Sequence, residues 1–212
     1  SLAKMVDGVF LVRSGEEDEP RIKTIVCQQA VLGYLAVLAA RILKRPQSET
    51  AALEREFAKL PGHVEWALTH LQDAARSLAS GLKGSRSLSV VGGGLYYPAA
   101  LQWALLLKKL NNVQVESFAP DESGRAALQT VERDAAVVAI SGSRCRLKKD
   151  VYHLVNLCRK RGAQVFSLTD ASDRELVEMS SLAVLLPVLS EMTGSILALA
   201  LLDWVAYEIG RP

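Results

Sequence analysis

The sequence predicts an α/β protein: a three-layer α/β/α sandwich around a five-stranded parallel sheet, preceded by long helices. Three observations predict it. Runs such as SLSVVGG (87–93), AAVVAIS (135–141) and SLAVLLPV (181–188) are apolar along their length and rich in β-branched residues, as strands buried on both faces must be. These runs alternate with segments of helical period, which supply the crossovers that parallel strands need. Glycine- and serine-rich turns, GGG (92–94) and SGS (141–143), fall at the carboxyl ends of two of the strands. Sheets of this kind hold ligands at such ends, near the point where strand order reverses.

The elements follow in order. DGVFLVR (7–13) has the composition of a short buried strand, and SGEEDEP (14–20) is an acidic loop closed by Pro20. From Arg21 to Arg45 the apolar positions Ile25, Val26, Leu32, Leu35, Ala36, Ala39 and Leu43 recur at helical spacing. Pro20 suits a helix start and Pro46 a helix end. Residues 48–60 and 62–82 read as two further helices; Ser48 is a weak cap, because the acidic residue of a capping box is missing. SGLKGSRS (80–87) is a turn-rich linker, after which the character changes. A strand (87–93), a helix (99–110), an alternating strand (113–118) and a helix or helical turn (121–133) come next. A strand (135–141), a helix ending at Gly162 (146–162), two more strands (163–170 and 181–188) and a closing helix (190–210) complete the pattern.

Composition narrows the function. The chain has 212 residues, half of them hydrophobic, and a formal net charge of +2, which excludes the strong basic excess of a nucleic-acid binder. Three cysteines and three histidines lie far apart, without the spacing of a disulfide framework or a metal site, so no metal is expected. The apolar stretches 30–40 and 194–206 are shorter than the ~20 residues of a membrane span and read as buried helices, so no membrane partner is expected. With no secretory signal pattern the expected location is cytoplasmic. The chain opens on Ser1 and enters a strand-like run almost at once, so residues before Ser1 are expected in the natural protein.

Several motifs can carry chemistry. Gly92, Gly93 and Gly94 let backbone N–H groups approach an anion at the start of the following helix; equally, they suit a tight strand–helix turn. Residue 97 is Tyr, so the run is not a dinucleotide fingerprint, and no cofactor is expected. SGSRCR (141–146) places Ser141, Ser143, Arg144 and Arg146 at the next strand end. Serine hydroxyls and guanidinium groups bind phosphate oxygens, although Ser143 could instead cap the next helix. Glu116 and Glu122 flank a third strand end, where a carboxylate could bind sugar hydroxyls or act as a base, or could be a solvated loop charge. RLKKD (146–150) reads as a solvated helix face, and no G-x-S-x-G elbow occurs.

GGGLYYPAALQWALLLKKL (92–110) resembles the second half of double sugar isomerase (SIS) proteins, whose sheet is flavodoxin-like. The likeness is greatest to the isomerase part of glutamine–fructose-6-phosphate aminotransferase and related phosphosugar isomerases and deaminases. Gly92, Gly94, Tyr97, Pro98, Ala100, Ala104, Leu105, Leu107 and Lys108 match the family pattern, with Glu116 and Glu122 at further acidic positions. Ser14, Gly15, Glu17, Lys23 and Gln28 resemble the end of the first SIS half. The resemblance implies that 1–47 is the remnant of a first SIS subdomain (a strand and a long helix), 48–84 connecting helices and 85–212 the second SIS subdomain. It implies a phosphorylated sugar as ligand and a homodimer as assembly. Substrate binding would fall to Gly92, Gly94, Ser141, Ser143 and Glu122. The catalytic positions are altered: Lys109 stands where the family has its glutamate base, Arg125 where it has a histidine, and Gln102 and Leu106 depart as well. The expectation is a phosphosugar-binding protein, with an SIS-like domain that has lost ligand binding as the alternative. Any surviving activity would be that of a phosphosugar isomerase or deaminase.

Overall fold

The computed structural model describes residues 4–17, 21–85, 87–121, 131–133 and 135–211. Its centre is a parallel sheet of β1 (Leu88–Gly92), β2 (Val115–Phe118), β3 (Ala136–Ile140), β4 (Gln164–Asp170) and β5 (Leu182–Leu186), as the sequence predicts. The strand order is β2-β1-β3-β4-β5, with every neighbouring pair parallel. The chain moves outward from β1 to β2, then returns past β1 to β3. The order therefore reverses between β1 and β3, and GGG and SGS end those two strands.

Helices cover both faces. In chain order they are α1 (Ile22–Ile42), α2 (Gln47–His70), α3 (Gln72–Leu82), α4 (Tyr97–Asn111), α5 (Lys148–Lys160), α6 (Arg174–Met179) and α7 (Glu191–Gly210). Successive strand residues point to opposite faces, and each strand feeds two cores accordingly. Val90, Val138, Ile140, Leu168 and Val184 pack with α3, α4 and α7 on one side. Val91, Val137, Ala139 and Val165 pack with Val151, Leu154 and Val155 of α5 and Leu176 of α6 on the other. Full burial of one such side chain is worth about 1.5–3 kcal/mol. α7 is apolar on every side because it lies between the sheet and the N-terminal helices; Leu197, Leu199, Leu201 and Leu202 are all fully buried.

Three expectations change. Residues 7–13 form no strand, and most of them are exposed, Phe10 at 65 % and Leu11 at 71 %. A strand needs a ladder partner, and this run pairs with none of the five strands; Phe10 and Leu11 lie beside α1 and α2 instead. The helix break falls at Leu71 rather than Pro61, and α2 runs through the proline. Pro61 removes one intrahelical hydrogen bond, at a cost of about 3 kcal/mol, and burial of Leu60 and Ala67 in the core offsets it. Ser48 lies inside the first turn of α2, whose cap position is Pro46, with no side-chain capping bond. The segment 121–133 falls largely outside the described residues, and Glu122 and Arg125 fall there entirely.

α1 starts where the Glu17 carboxylate accepts the N–H groups of Lys23 (2.7 Å) and Thr24 (2.8 Å), two donors with no intrahelical partner. Burial pushes the Glu17 pKa up, but these hydrogen bonds outweigh it and leave the carboxyl below its ordinary value. α1 and α7 are both long and apolar enough to cross a bilayer by length and composition. Counting only uninterrupted apolar runs in the sequence misses this. α7 is enclosed by the domain, whereas α1 shows much of its apolar surface, with Leu32 66 % and Ile42 79 % exposed. Phe10, Leu11, Tyr34, Leu35 and Phe57 line a groove of about 600 Å³ along it.

Candidate functional site

The candidate site lies at the carboxyl ends of β1 and β3. β1 ends on Gly92, and a single 3-10 turn, Gly94–Tyr96, leads into α4. Gly94 has φ +53°, a conformation that costs a residue with a side chain about 1 kcal/mol or more. That conformation turns the Leu95 N–H inward, where it donates to Glu191 Oε1 at 2.7 Å. A Cβ on Gly94 would lie 1.9 Å from the same oxygen. The N–H that meets this carboxylate is that of Leu95, the residue after the glycine run, and the Gly93 N–H donates to Ile140 O instead.

β3 ends at Ile140, and the next residue, Ser141, is buried at 2 % exposure. Its hydroxyl makes no hydrogen bond of ordinary geometry and interacts with the Cys145 thiol. Gly142 has no room for a side chain, because a Cβ would meet Tyr96 Oη at 2.6 Å and Asp170 Oδ2 at 3.2 Å. The Ser143 N–H donates to Asp170 Oδ2 (2.7 Å), and the Ser172 N–H donates to Asp170 Oδ1 (2.9 Å). Asp170 ends β4, so one carboxylate ties two strand-end loops together. The Arg146 N–H points at Glu191 Oε2 (3.4 Å), and Cys145 Sγ lies 3.8 Å from Glu191 Oε1.

Burial keeps the neutral forms of the neighbouring groups. It pushes the Tyr96 hydroxyl well above its ordinary value, with Cys145, Asp170 and Glu191 adding to the effect. It pushes the Cys145 thiol up as well; Ser141 offsets part of that rise and the Glu191 charge adds to it. Neither group is therefore a nucleophile or base at neutral pH.

Ser143 does not cap the following helix. α5 begins at Lys148, and the turn before it is held by Cys145 N–H to Gly142 O (2.8 Å) and by Lys148 Nζ to Ser143 O (2.9 Å). The Arg144 guanidinium engages α2, donating to Glu56 Oε1 at 3.4 Å. Glu56 Oε2 accepts from Ser190 N–H (2.9 Å) and Thr193 Oγ1 (2.7 Å), which fixes the start of α7. Burial raises the Glu56 pKa, but the hydrogen bonds from Ser190 and Thr193 and the Arg144 charge outweigh it and leave it below its ordinary value.

The turns after β1 and β3 lie far from Lys109, and Arg125 lies outside the described residues. α4 starts beside the glycines and runs back along the sheet, and Val115 of β2 pairs with Leu88 at the start of β1. Lys109, in the last turn of α4, is thus about 18 Å from Tyr97 at 1.5 Å per residue, toward the amino ends of the strands. Lys109 is exposed, Leu106 is buried and Gln102 is half-buried. Glu116 is exposed on β2 and lines a separate cavity of about 300 Å³ with Ser89, Lys108 and Gln114. Among the described residues no group of His, Cys, Asp and Glu is arranged to hold a metal.

Sequence reasoning missed Glu191, Asp170 and Tyr96. Glu191 looks like an ordinary acidic residue in a first helical turn, and Asp170 like the end of a strand. Only the packed fold shows what their carboxylates accept.

The SIS domain family pattern matches residues 81–206. The glutamine–fructose-6-phosphate aminotransferase (isomerizing) of Thermococcus kodakarensis is 33 % identical over 188 residues, covering 88 % of this chain and 31 % of that protein. The enzyme of the same name from Methanosarcina acetivorans is 26 % identical over 209 residues, covering 98 % of this chain and 34 % of that protein. The chain thus spans about a third of the length of the curated relatives it matches. The C-terminal domain of glucosamine-fructose-6-phosphate aminotransferase from Francisella tularensis superposes with a TM-score of 0.88 at 20 % identity, over 99 % of this chain and 59 % of that one.

Proposed function

The chain belongs to the SIS domain family, and from that premise we propose that it binds a phosphorylated sugar at the carboxyl ends of β1 and β3. One observation carries this reading: the Leu95 and Arg146 N–H groups, from two different strand-end turns, converge on a single anionic group. Backbone donors fixed in this way suit a phosphoryl group, because the fold has already ordered them. Gly92 and Gly94 shape one wall, and Ser141 and Ser143 the other. Glu122, outside the described residues, is a further candidate for the sugar hydroxyls.

The binding reading does not include the family's isomerase step at this crevice. A base must reach the proton it removes within hydrogen-bond distance, and Lys109 lies toward the amino ends of the strands. The names of the relatives make an amino-sugar phosphate the first ligand class to try. Residues 1–47 are read as the end of a first SIS subdomain, 48–84 as connecting helices and 85–212 as the second SIS subdomain of a cytoplasmic homodimer. The apolar surface left on α1 supports a covering body there.

A second reading has its own support. Glu191 and Asp170 already occupy the donors a phosphate would use, as expected of a domain that no longer binds sugar phosphate. Thermal denaturation with fructose 6-phosphate, glucosamine 6-phosphate, inorganic phosphate and unphosphorylated glucosamine separates the two readings. The expected result is a saturable rise in Tm with a phosphorylated sugar and none with glucosamine, reduced in Ser143→Ala. No rise with any phosphorylated ligand rejects binding. An equal rise in Ser143→Ala removes the SGS turn from the site.

A further inference from the structure

Glu191 occupies the crevice in an unusual way. Its oxygens take the N–H groups of Leu95 and Arg146 and touch the Cys145 thiol. These groups come from the turns after β1 and β3, more than forty residues away in sequence. The left-handed Gly94 leaves room for the Leu95-bound oxygen, Glu191 Oε1, which a side chain at that position would meet. A carboxylate needed only to favour the start of α7 would have no reason to reach across to both turns. The α7 start is capped independently, by the Ser190 hydroxyl on Thr193 and by Glu56 on Ser190 and Thr193.

The cradle also has more polar capacity than its occupant uses. Ser141, the residue after β3, is 2 % exposed, and its hydroxyl lacks a hydrogen-bond partner of ordinary geometry. It sits beside the Cys145 thiol that touches Glu191. That thiol is a weak hydrogen-bonding partner, so the buried hydroxyl keeps capacity for a stronger one. A planar carboxylate offers two oxygens. A phosphate monoester offers three, with up to twice the charge.

We infer that Glu191 is an internal stand-in for a phosphoryl group: it holds the Leu95 and Arg146 donors while the site is empty, and a sugar phosphate must displace it. The inference rests on the phosphosugar reading above. Displacement needs only rotation of the Glu191 side chain, because Glu56 anchors the backbone at Ser190. The phosphoryl group then takes the two N–H donors and gains the Ser141 hydroxyl. The tethered carboxylate competes with the free ligand at a high local concentration. Apparent affinity falls by the fraction of time the cradle is open. The device sets a threshold, so that the site fills only when phosphosugar is abundant.

The test is calorimetric titration of wild type, Glu191→Ala and Glu191→Gln with glucosamine 6-phosphate and, separately, inorganic phosphate, at fixed ionic strength. Unphosphorylated glucosamine is the control, and circular dichroism verifies folding. For a cradle occupied about nine-tenths of the time, Glu191→Ala binds both phosphate probes about 10-fold tighter than wild type. Glu191→Gln keeps the shape without the charge and falls between the two; it also serves as the test if the alanine variant does not fold. If wild type binds glucosamine 6-phosphate and the folded variants bind no tighter, the stand-in role is wrong while the phosphosugar reading survives. If neither wild type nor any folded variant binds either phosphate probe, both fail.

Discussion

Asp203→Asn is expected to stabilise the chain, by about 1.5 kcal/mol at pH 5 and on the order of 5 kcal/mol at pH 8. Asp203 lies on α7 with 7 % of its surface exposed. Burial, with the nearby Glu17 charge adding to it, pushes its carboxyl up to about 8. In the unfolded chain the same group ionises near its ordinary value of 3.8. Between those two values the folded state holds a proton that the unfolded state has released, so stability falls as pH rises through that window. The loss is absent below the unfolded value and complete above about 8. Asparagine has the shape of the protonated acid and cannot ionise, so the variant escapes the loss. Urea denaturation at the two pH values measures the difference. A gain that does not grow with pH would show that Asp203 is not a buried neutral acid.

Asp170→Ala is expected to cost about 2–4 kcal/mol and to loosen the Ser141–Arg146 turn. Asp170 is 3 % exposed and accepts two backbone N–H groups, from Ser143 at 2.7 Å and Ser172 at 2.9 Å. Removing the carboxylate strands both donors, and an unmet buried donor costs more than the net worth of its hydrogen bond. The effect should also be local. Hydrogen exchange at the Ser143 amide should speed up well beyond that at Val138 in β3, because the turn opens without the sheet. Asp170→Asn keeps one acceptor oxygen and should recover part of the loss. A change within about 0.5 kcal/mol for Asp170→Ala, the ordinary range for an uninvolved surface site, would mean that the carboxylate does not organise the turn.

The parallel sheet is legible in the sequence because both of its faces are covered. Val90 and Val91 point in opposite directions, and both are fully buried, so the strand reads as one continuous apolar run. The two turns are legible for a similar reason: glycine at Gly94 meets a backbone requirement that few other residues can meet. Residues 7–13 mislead because composition alone reports strand propensity, while strand formation depends on a partner. Pro61 misleads because a local penalty of about 3 kcal/mol is smaller than what burial along α2 returns.

The occupants of the crevice are illegible for a different reason. Glu191 and Leu95 are 96 residues apart, and Ser143 and Asp170 are 27 apart. Nothing local in Ser190-Glu191-Met192 indicates that its carboxylate reaches another turn. Arg144 shows the converse. Its type and position suggest a phosphate clamp, yet its guanidinium engages Glu56 on α2. Lys109 was marked by its sequence position as a lost catalytic group, and the fold adds that α4 carries it away from the crevice.

The central claim is that a sugar phosphate binds between the ends of β1 and β3. The most direct measurement is an amide-resolved NMR titration of the 15N-labelled chain with glucosamine 6-phosphate. The predicted result is a saturable shift of the Gly93, Leu95, Ser143 and Arg146 amides, with the middle of α4 unmoved. Saturable shifts confined to Ser89, Lys108 and Glu116, or no saturable shift at all, would contradict it.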